Sequence, residues 1–244
     1  MSHHYLRFDH VHYAYPNGHP ALRGISFTLR HGEKVALAGT NGSGKSTLLL
    51  HTNGLLLPAE GSVNVGDIPV TRQTLSLVRQ TVGLIFQNPD DQLFMPTIEE
   101  DVAFGPQNMH LPPDEVERRV TEALESVGAS AWRKRAGYQL SGGQKRSVAI
   151  ATVLSMQPDI LVMDEPTSNL DAKARRQFID LIHGFRHTCL IATHDVGLMW
   201  ELCPRLLVMH EGRLIADGET HTVLYDTEVQ EKTGLRPPGE QFPG

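Results

Sequence analysis

The sequence predicts an α/β protein built on a mostly parallel sheet that is covered by helices on both faces. Three observations carry this. Val35-Ala36-Leu37-Ala38 is a short apolar run that passes through a glycine-rich loop into Leu48-Leu49-Leu50, the order strand, loop, helix. Further apolar runs at Val82–Phe86, Ile160–Met163, Thr188–Ala192 and Leu206–Met209 are spaced widely enough for crossover helices between parallel strands. From residue 88 to 157 the texture is helical instead, as expected of an insertion into the sheet.

Taken in order, Tyr5 to Tyr15 alternates, with Leu6, Phe8, His10 and His12 on one side and Arg7, Asp9, Val11 and Tyr13 on the other. It closes at Pro16-Asn17-Gly18, a turn. A second strand is expected over Gly24–Leu29, and His31-Gly32-Glu33 turns into the strand that enters the glycine loop. The helix opening at Lys45 should fade near Asn53-Gly54, and Gly61–Asp67 reads as a short hairpin. Val82–Phe86 is a buried strand closing on Gln87. Thr97 followed by Glu100 is a capping box, and Pro112-Pro113-Asp114 opens a helix that runs through Val116, Val120 and Leu124 to Gly128. Another helix follows Ser141-Gly142-Gly143, with Val148, Ile150, Ala151 and Leu154 as its apolar side, and ends before Pro158. The rest alternates: strand from Ile160, helix Ala172–His187, strand Thr188–Ala192, helix Val196–Leu202, strand Leu206–Met209, and a last helical stretch over 219–233.

Composition narrows the function classes. The 244 residues are 40% hydrophobic and 20% charged, enough to bury a large core as one domain carrying a subdomain or as two small domains. A formal net charge of -6 without a basic stripe argues against a nucleic-acid partner. Cys189 and Cys203 lie in apolar surroundings without metal-ligand spacing, which reads as reduced, buried thiols in a cytosolic protein rather than a disulfide. No signal peptide precedes the first strand, and no apolar run approaches the ~20 residues that span a bilayer. His10 and His12, with His3 and His4 nearby, could share a strand face and hold a transition metal. Solvated histidines are the better reading, and no metal site is assigned to them.

Three stretches carry chemistry. Gly39-Thr40-Asn41-Gly42-Ser43-Gly44-Lys45-Ser46-Thr47 has the P-loop spacing: glycines let backbone N–H groups turn inward around a triphosphate, and a helix N-terminus adds partial positive charge. Lys45 is the point charge for the β- and γ-phosphates, and Ser46 a hydroxyl for Mg²⁺. Ile160–Met163 delivers Asp164 and Glu165 to the end of a buried strand, a costly arrangement unless a Mg²⁺–nucleotide compensates the charge. Asp164 is the Mg²⁺ group and Glu165 the base for a water attacking the γ-phosphate. Leu140-Ser141-Gly142-Gly143-Gln144 opens a helix with bare backbone, a second anion site in the same chain.

That pentapeptide, between a P-loop and an apolar-Asp-Glu strand, resembles the signature of ATP-binding cassette (ABC) ATPases, and the resemblance spans nearly the whole chain. It implies a P-loop NTPase (RecA-like) core with an N-terminal antiparallel β subdomain and an inserted helical signature subdomain. Residues 1–87 and 158–244 would form the core and 88–157 the helical subdomain of a single nucleotide-binding domain over 1–244. It also implies a head-to-tail dimer, homo- or heteromeric, in which Ser141, Gly142, Gly143 and Gln144 of one cassette close over ATP and Mg²⁺ in the P-loop of the other. Residue by residue, Tyr15 resembles the aromatic that stacks on adenine, with Tyr13 the competing choice. Gln87 resembles the glutamine of the Mg²⁺ and water shell, and His194 the switch histidine that contacts the γ-phosphate and steadies the catalytic carboxylate. Asp171 resembles the aspartate of the loop through which cassettes sense each other. Asn169 departs from the small residue usual there, with modest consequences expected because asparagine tolerates a left-handed backbone.

Gly83–Phe94 and Thr97–Pro106 look like the corresponding stretches in ATPases of energy-coupling-factor importers, which work with a transmembrane coupling protein and a substrate-binding membrane protein. The stretch 88–94 would help build the groove for the coupling helices, holding the chain peripherally on the cytoplasmic face of the cell membrane. The short C-terminal end resembles dedicated cobalt or nickel systems more than vitamin systems. An exporter ATPase is the nearer rival. A soluble non-transport cassette should carry two cassettes, a coiled-coil insert or a basic face, and a small-molecule P-loop kinase should lack Leu140–Gln144 together with Asp164-Glu165.

Overall fold

The strands at the centre of the protein are those whose residues are buried on both faces. The computed structural model describes residues 5–168 and 170–239. Among them β1 (Leu6–Ala14), β2 (Pro20–Leu29), β3 (Lys34–Gly39), α1 (Lys45–Thr52), β4 (Glu60–Val65), β5 (Ile68–Pro69), α2 (Leu75–Thr81) and β6 (Val82–Ile85) come first. The helical block follows as α3 (Ile98–Asn108), α4 (Pro113–Ser126) and α5 (Gly142–Leu154). Then come β7 (Ile160–Asp164), α6 (Ala172–Gly184), β8 (Thr188–Ala192), α7 (Val196–Leu202), β9 (Arg205–His210), β10 (Arg213–Glu219), α8 (Thr220–Leu224) and α9 (Thr227–Thr233).

Two sheets result. The larger runs β10-β9-β3-β8-β7-β6, with β3 and β6 to β9 parallel and β10 antiparallel at the edge. Every residue of β6, β7 and β8 is buried, the continuous apolar texture of parallel strands covered on both faces. The smaller sheet, β2-β1-β4-β5, is antiparallel. Its Leu6, Phe8 and Ile25 pack with Leu37, Leu48 and Val162, so the two sheets share one apolar cluster. On the other face of the large sheet, Val102, Val120, Leu124 and Ile150 of the helical block join Met163 and Ile191. The α/β class, the parallel core and the antiparallel N-terminal sheet agree with the expectation.

Several details differ from the sequence reading. The alternation of β1 does not run through: His10 sits at φ +49 in a bulge where the register against β2 and β4 shifts. The extra residue turns Val11 inward with Leu6 and Phe8, and leaves His10 and His12 exposed. β2 begins at Pro20 rather than Gly24. α2 was not anticipated, and neither was β10, which makes a hairpin with β9 through Glu211 and Gly212 at φ +47 and +76. The final helical stretch is two helices, because Asp226 caps α9 by accepting from the Val229 N–H at 3.1 Å. The capping box at Thr97 is present, with Glu100 Oε2 accepting from the Thr97 N–H at 3.0 Å. Cys189 and Cys203 are free and buried, and burial pushes both thiols up to about 12. His3, His4 and Asn169 lie outside the described residues.

Candidate active site

The carboxyl end of β3 turns sharply into α1, and glycine is what makes the turn possible. A Cβ on Gly39, at φ +149, would stand 2.2 Å from the Met209 carbonyl oxygen of β9, and one on Gly44, at φ +102, 2.5 Å from the Ala21 carbonyl oxygen. Gly44 caps α1, so the first N–H groups of that helix open toward the loop. Lys45 leads the helix, and its Nζ donates to the Gly39 and Thr40 carbonyls at 2.9 and 3.0 Å. Burial lowers the basicity of Lys45, while Glu165 and Asp164 nearby act to raise it.

The parallel order of β3, β8 and β7 brings β7's end alongside that loop. Asp164 is buried, which raises its pKa; a hydrogen bond with Ser46 acts the other way. Glu165 follows in the left-handed region at φ +47, a conformation costing about 1 kcal/mol or more for a residue with a side chain. Its backbone N–H donates to the Ala192 carbonyl at 2.8 Å, anchoring the turn to β8. The carboxylate is held at both oxygens: His194 Nδ1 lies 2.8 Å from Oε1 and Thr193 Oγ1 3.2 Å from Oε2. The imidazole of His194 is 78% exposed, so the pair opens outward from a buried carboxylate.

Lys45, Asp164 and Glu165 line a cleft of about 390 Å³, whereas His194 and Thr193 do not line it and reach it through Glu165. Tyr15, Asn41, Gly42, Gly44, Lys45, Ser46, Thr47, Gln87, Asp164 and Glu165 all face it, and Gly39 and Ser43 form the turn behind. Tyr15, not Tyr13, is at the cleft, its hydroxyl 2.9 Å from Thr47 Oγ1; Tyr13 packs edge-on against buried His51. His19 and Ala21 line it too and carry no motif that would have singled them out. Thr193, second partner of Glu165, was legible only as the neighbour of His194.

Ser141, Gly142, Gly143, Gln144 and Asp171 do not line this cleft. Ser141 is instead the N-cap of α5 in a capping box with Gln144, whose Oε1 accepts from the Ser141 N–H at 2.9 Å, and the turn faces solvent. Asp171 caps α6 by accepting from the Ala174 N–H at 2.8 Å. The chain therefore carries a glycine loop at a helix N-terminus, a pair of carboxylates, and a second exposed helix-opening turn that lies away from its own cleft.

Chemically, the loop and Lys45 suit a polyphosphate: N–H donors, a cation and a helix N-terminus converge on one space. Ser46, Asp164 and Gln87 offer oxygen donors at the same place, which suits a hard cation that shares its shell with phosphates and water. Glu165, oriented by His194 and Thr193, is placed as a base beside both.

Residues 22–168 match the ABC transporter domain family. A protein of Geobacter sulfurreducens, provisionally named as an ABC transporter ATP-binding protein, is 57% identical over 94% of this chain and 92% of its own length. The energy-coupling factor transporter ATP-binding protein EcfA of Methanocaldococcus jannaschii is 46% identical over 93% of this chain and 84% of its own. Among solved structures, cbiO1 from Clostridium perfringens, part of the ABC transporter complex cbiONQ, superposes with a TM-score of 0.81 at 38% identity, covering 97% of this chain and 96% of that one. The dimeric ATP-binding cassette MJ0796, bound to ADP and Pi, gives a TM-score of 0.80 at 27% identity over 88% and 98%.

Proposed function

The chain belongs to the ABC transporter family, as an ATP-hydrolysing subunit, and on that premise we propose that it powers an energy-coupling-factor importer of cobalt or nickel ions. The observation that carries the catalytic part is the Glu165 carboxylate, buried beside Lys45 and gripped by His194 and Thr193. Lys45 and the N–H groups of the loop bind the β- and γ-phosphates of ATP, and Tyr15 stacks on adenine. Ser46, Asp164 and Gln87 would hold Mg²⁺, which when bound would supply positive charge against the charge that develops on the phosphate oxygens. Glu165 orients a water and takes its proton as the water attacks in line, and the imidazole at Oε1 keeps the carboxylate aimed. His194 also reaches the γ-phosphate.

The site is completed by a second cassette. Ser141, Gly142, Gly143 and Gln144 sit away from their own cleft, so this turn, with the backbone N–H groups of Gly142 and Gly143 left outside the capping box, serves the γ-phosphate of a partner, and Asp171 lies at the contact between the two. ATP closes this head-to-tail dimer and hydrolysis reopens it. The residues 88–157 move as the arm that carries the signature turn, against a core built from 1–87 and 158–244.

Among the described residues no helix is long and apolar enough to cross a membrane. The chain attaches to the cytoplasmic face of the membrane through partners: a transmembrane coupling protein and a substrate-binding membrane protein. The likeness to EcfA, an energy-coupling factor transporter ATP-binding protein, and to cbiO1, part of an ABC transporter complex, supports that assembly. The test is purification of the tagged full chain from native membranes, followed by uptake of labelled Co²⁺, Ni²⁺ and vitamins by the reconstituted complex. Co-purification of a coupling protein with ATP-dependent Co²⁺ or Ni²⁺ uptake is expected. Vitamin uptake would overturn the cargo, and an exporter-type membrane partner would overturn the importer reading.

A further inference from the structure

The helix behind the signature turn is fastened to the loop that carries Gln87 by a buried cation of the helix, Arg146, and by Gln92 of the loop. Arg146 lies five residues past Ser141, about 7.5 Å along α5, and is 3% exposed. Its Nη1 donates to the Phe86 carbonyl at 2.7 Å and its Nη2 to the Gln87 carbonyl. From the other side Gln92 accepts the Phe86 N–H at 3.3 Å, and donates to the Ala149 carbonyl and Thr152 Oγ1 of α5 at 2.7 and 2.6 Å. The backbone leading into Gln87 is thus held to α5 at the N–H and carbonyl of Phe86 and again at the carbonyl of Gln87.

A buried guanidinium is a costly way to attach a helix, since an apolar side chain of like volume packs there without losing hydration. Burial lowers the basicity of Arg146, and Asp164 and Glu165, within electrostatic reach, act in the opposite direction. The cation is therefore within electrostatic reach of the two carboxylates while holding the loop that bears Gln87. One rigid helix carries both this cation and the exposed turn at Ser141.

We propose that Arg146 is a positioning residue for hydrolysis: it holds Gln87 against Asp164 and Glu165, and carries the seating of the signature turn on a second cassette back to this chain's own cleft. The inference rests on the ATPase reading above. Arg146 touches no residue of the P-loop in the contacts described, so nucleotide affinity should be nearly independent of it.

The experiment compares the full-length wild type with R146M and R146K. It measures ATP affinity by equilibrium binding, kcat and the Hill coefficient of hydrolysis at dimerising concentrations, and Tm. For R146M we expect ATP affinity within about twofold of wild type, with kcat lower on the order of ten- to a hundredfold, the effect of losing hydrogen bonds from a charged donor. The Hill coefficient should move from near 2 toward 1, and R146K should recover part of kcat because it restores the cation. A parallel loss of affinity, kcat and Tm without recovery in R146K would mean a merely structural role and overturn the proposal. So would wild-type kcat and cooperativity in R146M. Should R146M fail to fold, R146K decides: reduced kcat at unchanged affinity and Tm supports the proposal, and unchanged kcat overturns it. Absence of ATP hydrolysis in the wild type would instead overturn the ATPase reading.

Discussion

Glutamine in place of Glu165 tests the chemistry most directly, because the exchange is nearly isosteric at a position whose surroundings are fixed. The backbone of residue 165 is held by its N–H bond to Ala192 at 2.8 Å, and that contact survives any side-chain change. Among the described residues the side chain's polar contacts are a hydroxyl and an imidazole, Thr193 at 3.2 Å and His194 at 2.8 Å, and both can reverse donor and acceptor roles to suit an amide. The variant should fold as the wild type does. What it loses is the proton acceptor, and positioned general-base catalysis contributes about 10²- to 10⁴-fold, or about 3 to 5 kcal/mol of barrier. Binding should move the other way. Glu165 is one of two carboxylates that act on Lys45, so neutralising it makes the cleft less hostile to a polyanion. The assay pairs steady-state phosphate release with nucleotide affinity and gel filtration in ATP. Loss of turnover by at least a hundredfold, with affinity equal or tighter and accumulation of closed dimer, is expected. Turnover within about threefold of wild type would refute the assignment of Glu165 as base.

Lys45→Ala removes the point charge of the loop and should weaken ATP binding about ten- to a hundredfold, the worth of a hydrogen bond to a charged group; unchanged affinity in a titration would exclude Lys45 from phosphate binding. Phe94 is exposed and stacks edge-on with exposed Phe104 at 5.0 Å, while Asp90 pairs with Lys145 at the surface. Substituting Phe94 or Asp90 by alanine should leave ATPase activity within about twofold yet abolish transport in the reconstituted complex, and normal transport would remove this surface from the membrane contact. Glu115 is held down to about 2 from an ordinary 4.5 by the Arg118 and Arg119 guanidinium groups at 2.6 and 2.7 Å. Its folded pKa lies below the unfolded one, so its contribution is present above pH 4.5 and lost as pH falls toward 2. Glu115→Gln should therefore flatten the fall of Tm between pH 4.5 and pH 2, and parallel slopes in wild type and variant would exclude the pairing.

The elements that were legible in advance are those whose cause is local. Gly39 and Gly44 with Lys45 announce a turn no other residues could make, and the unbroken apolar runs of β6, β7 and β8 announce strands covered on both faces. Where the cause is non-local the sequence misled. The alternation of β1 assumed a regular pleat, and the bulge at His10 arises where its pairing with both β2 and β4 shifts. β10 escaped because it is a half-exposed edge strand, entered through Glu211-Gly212 rather than the Asn-Gly or Asp-Gly that marks such a turn.

By itself, then, the sequence determined the residue types of the site: a glycine-rich loop entering a helix, two adjacent carboxylates at a strand end, a histidine one strand later and a second glycine turn opening a helix, each set by spacing within a few residues. Only the tertiary structure decided how they meet. The parallel order β3-β8-β7 draws Glu165, Thr193 and His194 together across 28 and 29 positions of chain, and the bulge in β1 precedes the choice of Tyr15 over Tyr13 at the cleft. The fold of α5 leaves the Ser141 turn facing solvent while burying Arg146 against the Phe86 and Gln87 carbonyls. Side-chain placement of this kind depends on strand order and helix packing, which contacts distant in the chain decide.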